Sequence, residues 1–320
     1  MRTIRDILDE IDESKKNASE SFLSRIVRVV ETSILSRLLS FLDRSDVENG
    51  RLKDSLTNEE LLVEIQNEVD DAFIESGIED AVRAYTKDID LVESLQKEYF
   101  RRTLTEAEPR DITALFRETR PFKTREIDTI SKALLSRASF QSQITNQYRD
   151  ILFDGIVFEK SIDDIKAEIR EAVRTSNDAN SPLHRYASQV SRDTISQYEG
   201  TLQETVRNEY DLDGFAWTGS TKAGTRSICA DMTCAVGHPN YTGRFDDLKL
   251  EGIKGFRVAD IPEIIRRMRA GNSSGLNPAI TPETFAKYRG GYHCENSIIY
   301  FRLTEEQRAQ FRGLDSALED

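Results

Sequence analysis

Proline does not occur before Pro109, so the first third of the chain lacks the strongest helix breaker. Cysteine is equally scarce. There are three, an odd number, which argues against a disulfide framework and for a reducing compartment. No apolar run approaches the roughly 18 residues that a membrane span requires. The opening MRTIRDILDEIDESKK has no apolar signal core and is not expected to act as a secretory leader. A basic surplus is missing as well: 44 Lys and Arg against 57 Asp and Glu give a net charge of −13. A chain built mainly to grip phosphate backbones is expected to carry the opposite balance.

What the sequence does have is helical pattern. Ile4, Ile7, Leu8 and Ile11 form one stripe, and Phe22, Ile26, Val29 and Val30 begin another that continues through Ile34, Leu38 and Leu42. Thr57 with Glu60 reads as a capping box opening a third helix, Gly77 as an interruption, and SDVENGRLKD as a loop. Asp111, Ser161 and Thr304 are further candidate caps, and Pro182 opens a long helix to about Tyr210. A helix is also expected from about Thr124 to Phe153. After Asp213 the texture changes: most glycines and four of the seven prolines lie beyond it. GFAWTG and CENSIIYFRL read as strands, IPEIIRRMRA as a short helix capped by Asp260 and closed by Gly271, and ETFAKY as another behind Thr281 and Pro282. The expected fold class is mainly α: a long-helix N-terminal body, residues 1–180, followed by a small irregular α+β module, residues 181–320.

Three thiols and the histidines supply the candidate chemistry. Cys229, Cys234 and His238 have the spacing C-x4-C-x3-H, and Cys294 lies downstream beside His293. Thiolates and imidazoles on two short loops suit a tetrahedral zinc ion, which would tie a small loop-rich core together. Two other readings stay open: the cysteines as small buried hydrophobes, and a disulfide in a mature extracellular particle. A cysteine nucleophile needs a lowered pKa and a nearby imidazole, but no protease signature or G-x-S-x-G elbow surrounds these residues. GSTKAGTR spaces Gly219 and Gly224 as a phosphate loop would, yet Thr225 stands where lysine belongs.

The order of elements after residue 185 resembles the Mu F-like phage minor head proteins, also called phage head morphogenesis proteins. A long helix carries Arg185, Arg192, Thr194 and Tyr198, a strand carries Trp217, a turn carries Arg226 and Cys229, and Gly290, Gly291, Tyr292 and Cys294 close the module. The match covers roughly residues 185–300. It departs from the pattern at Glu295 and Asn296, where the family's Cys-Arg-His ending would fall, and His293 precedes the cysteine instead. The resemblance implies a non-enzymatic virion protein in several copies per particle, located in the head interior or at the portal vertex and in the host cytoplasm during assembly. It implies portal protein or the inner capsid surface as partner and contact with packaged DNA. It also implies that Cys229 and Cys294 close one small core. The competing reading is a metal-dependent or thiol hydrolase carried in the virion. Phe22, Leu23, Ile26 and Val27 beside Val29 and Val30 make a stripe wider than one buried face requires, so the partner surface is expected on the helical body.

Overall fold

The computed structural model describes residues 2–75, 77–104, 111–136, 145–174, 182–219, 225–250, 254–271, 276–288 and 296–309. The chain is mainly helical, with its longest strands near the C-terminal end. The helices are α1 (Ile4–Val29), α2 (Leu35–Arg44), α3 (Leu56–Glu75), α4 (Ile78–Thr103), α5 (Ile112–Glu118), α6 (Arg120–Leu135), α7 (Asn146–Val157), α8 (Ile162–Arg174) and α9 (Pro182–Tyr210). Strand β3 (Gly214–Thr218) follows, then α10 (Ser227–Met232), β4 (Phe256–Arg257), α11 (Ile261–Ala270), α12 (Phe285–Tyr288), β5 (Ser297–Phe301) and α13 (Glu305–Ala309).

These elements form two compact units, and the division is not the expected split at residue 180. One unit comprises residues 1–15, 91–126 and 192–320; the other comprises residues 16–90 and 127–191. Every boundary falls inside a helix: α1, α4, α6 and α9 each contribute one end to either unit. Composition changes at residue 213, but compactness follows contacts between distant segments, to which composition is blind.

The unit of residues 16–90 and 127–191 packs α2 against α3 and α8, and α7 against α3 and α8. Phe22 and Tyr85 meet at 4.8 Å in its core, and the Tyr85 hydroxyl donates to the Ser191 carbonyl. Phe22, Ile26 and Val27 are buried. Leu23 and Val29, beside them in the same stripe, are half-buried. The stretch expected to be a loop is a small hairpin, β1 (Val47–Glu48) with β2 (Arg51–Leu52). Asn49 and Gly50 both have positive φ, 53° and 75°, the conformation that makes Asn-Gly a strong two-residue turn. Asn58, buried, holds the hairpin's base through Asp46 N–H at 2.7 Å and the carbonyls of Asp46 and Lys53 at 3.0 and 2.7 Å. The α3 cap is Ser55, which accepts from Asn58 N–H, two residues before the expected Thr57. The segment expected as one helix from Thr124 is two described helices, α6 and α7.

The other unit is built around the lower half of α9 and a three-stranded antiparallel sheet ordered β4-β3-β5. Register pairs Phe215 with Phe256 and Tyr300, and Trp217 with Ile298. Phe215, Phe245, Phe256, Phe285 and Tyr300 are fully buried, and their rings contact one another. Caps expected at Asp111, Ser161 and Thr304 are present. Asp260 makes no cap; its carboxylate pairs with Arg257 at 2.6 and 2.9 Å instead.

Candidate functional site

Three of the expected site residues lie on α10 and the turn after it. Cys229 is buried inside α10, and its carbonyl accepts from Thr233 N–H and Oγ1. Cys234 ends the helix with φ of 54°. Its N–H bonds the Asp231 carbonyl and Ala235 N–H bonds Ala230, the paired bonds of a left-handed helix stop. That position favours glycine, so Cys234 is held there by its surroundings. Burial pushes its thiol pKa up, against the pull of Lys249 and Lys254. A thiol shifted that way is a poor nucleophile at neutral pH.

His238 is half-buried, and its Nδ1 accepts from Asn240 N–H at 3.1 Å. The neutral ring then carries its proton on Nε2. Binding a metal through Nε2 would move that proton to Nδ1 and break the Asn240 bond. No group of three metal-ligating side chains occurs among the described residues. Cys294, Gly290, Gly291 and Tyr292 lie outside the described residues, and so does the expected approach of Cys294 to Cys229. Thr233, Ala235, Val236, His238, Lys254 and Gly219 line an open cavity of about 380 Å³.

Trp217 is buried on β3 with its ring edge-on to Phe285 at 5.9 Å. Its indole N–H has no hydrogen-bond partner among the described residues. Arg226 stands at the entrance of α10 in an extended conformation.

Sequence reasoning missed two clusters. Asp231, fully buried, accepts from Thr242 N–H at 2.5 Å, Thr242 Oγ1 at 2.6 Å and Gly243 N–H at 3.0 Å. It thereby pins the loop after the cysteine turn; a single aspartate in CADM carries no local signal of this. The second joins Lys15 Nζ to Glu199 at 2.8 Å and to Ser297 Oγ at 2.5 Å, with Ser297 also on Glu199 at 3.1 Å. Lys15, Glu199 and Ser297 are all buried. The set has the members of a serine–lysine dyad, with Glu199 bonded to both the lysine and the serine. Its chemistry is that of a buried ion pair.

Comparison with family models, with curated proteins and with solved structures finds no match.

Proposed function

We propose that this chain is a non-enzymatic minor head protein of a phage virion that docks on the portal or the inner capsid surface and assists head assembly or genome delivery. The observation that carries the reading is the burial of Trp217 and Cys229. It makes the tryptophan strand and the Arg226–Cys229 turn, two elements of the resemblance, parts of a structural core. A long helix, α9, leads directly into that strand, in the order the resemblance requires. The upward shift that burial gives the Cys234 thiol, and the ion pair of Lys15 with Glu199, support the non-enzymatic reading. Zinc forms no part of the proposal. Among the described residues no helix is long and apolar enough to cross a membrane.

The test is co-purification. A tagged chain expressed during phage assembly is expected to sediment with assembled heads and to cross-link to portal protein. Recovery of the tagged chain only in the particle-free fraction overturns the proposal.

A further inference from the structure

Of the residues first expected to dock, Phe22, Ile26 and Val27 are buried and Leu23 and Val29 half-buried. The C-terminal half of α7 presents the best-defined exposed apolar group. Phe153 is 53% exposed, Val157 48% and Phe158 68%. Phe153 and Val157 are one helical turn apart, and Phe158 follows at the helix end. Asp150, Asp154 and Glu159 are exposed among them. Arg149, on this face, pairs with its neighbour Asp150 at 3.7 Å. Asp154 and Glu159 have no basic partner among the described residues.

Two features set this corner apart from an ordinary solvated helix end. Carboxylates crowd the last turns of a helix whose own dipole is negative there, an unfavourable arrangement that no basic residue in the last turn relieves. Glu159 also sits at φ of 45°, where glycine is the usual residue. Its N–H bonds the Ile156 carbonyl and Lys160 N–H bonds Gly155, so the stop is fully formed around a side chain that strains it. The corner is also rigid: Leu52 N–H bonds the Lys160 carbonyl, and Ile162 N–H bonds Gly50, which clips it to the β1–β2 hairpin. Phe158 is thus presented on a fixed support beside an uncompensated negative charge.

We infer that the Phe153–Val157–Phe158 face of α7 docks a cationic amphipathic helix of a protein partner. Apolar anchors would cover the two rings and Val157, and lysines or arginines would meet Asp150, Asp154 and Glu159. A second copy of this chain would bring the same carboxylates against themselves, which like-charge repulsion disfavours. The inference deepens the docking reading above and rests on it only for where the partner comes from.

The test uses the full chain and a fluorescein-labelled amphipathic peptide of leucine and lysine, followed by anisotropy. The wild type is expected to bind it, and F153S/V157S/F158S to bind at least about tenfold more weakly, as loss of central anchors does. D150N/D154N/E159Q is expected to lose affinity and to flatten the salt dependence. Glu159→Gly is expected to raise the melting temperature while weakening binding. Equal binding by the wild type and the serine variant, or equal binding of a leucine–glutamate peptide, overturns the inference. So does concentration-dependent dimerisation that the serine substitutions abolish, since a second copy would then be the occupant. No phage component enters this titration, so its failure is distinct from a failure to co-purify with heads.

Discussion

Gly200, in the middle of α9, lies so close to Ala286 that a Cβ added there would stand 2.4 Å from the Ala286 carbonyl oxygen. Helix propensity alone favours alanine at a mid-helix glycine by about 1 kcal/mol. Here the contact is backbone, which cannot rotate away. Gly200→Ala is therefore expected to destabilise the protein by about 1–3 kcal/mol, the usual cost of overpacking. Urea denaturation checks it, and an increase in stability would mean that α12 yields easily.

Lys15 and Glu199 are buried together. Lys15→Met or Glu199→Met removes one member of this buried pair, an expected loss of about 3–5 kcal/mol for each. The double variant is expected to lose much less than the sum, because no orphan charge remains. A double-mutant cycle measures the coupling, and strict additivity would show that water already solvates the pair.

Gln96, fully buried on α4, has no partner for either side-chain amide atom among the described residues. Replacing it with leucine removes two unsatisfied polar atoms at nearly constant volume. An increase in stability of about 1–3 kcal/mol is expected. A decrease would reveal a buried water or partner that the amide serves.

Alkylation of Cys234 by iodoacetamide, followed by peptide mapping, is expected to be slow at neutral pH. Its rate is expected to keep rising above the ~8.5 of an ordinary thiol, because burial raises the pKa. Rapid labelling at pH 7 would restore Cys234 as a candidate nucleophile.

Glu263 bonds Arg266 and Arg267 on α11, and these contacts lower its pKa to about 2. A carboxyl lowered in the folded state stabilises it above the unfolded pKa, near ~4.3, and loses that effect as pH falls toward the folded value. The stability difference between wild type and Glu263→Gln is thus expected to be constant above about pH 5 and to vanish by about pH 2. Salt should shrink it throughout, since the pair faces solvent. A difference that grows on acidification would contradict the assignment.

The helices were largely legible because their signals are local: Asp111, Ser161 and Thr304 cap as their neighbours suggest, and Gly77 breaks the chain between α3 and α4. Asn49–Gly50 was read only as part of a loop, because the hairpin's strands are two residues long and carry no alternation to announce them. Burial on both sides of a helix and exposure of a surplus stripe give the same pattern, so Phe22, Ile26 and Val27 could be assigned only by contact. The site divides the same way. Trp217 and Cys229 stood out by rarity. Asp231 and the Lys15–Glu199–Ser297 set did not, since common polar residues become significant only when burial brings distant segments together.

The interleaving of the two units has a consequence for synthesis. Lys15 leaves the ribosome long before Ser297, its hydrogen-bond partner 282 positions later. At about 5–20 residues per second that interval is roughly 14–56 s. The helical unit can close once Ser191 has emerged, while the first turns of α1 and the second half of α4 must wait for the sheet. For that time Ile7 and Ile11, buried in the folded unit, belong to a unit most of whose chain has yet to be made.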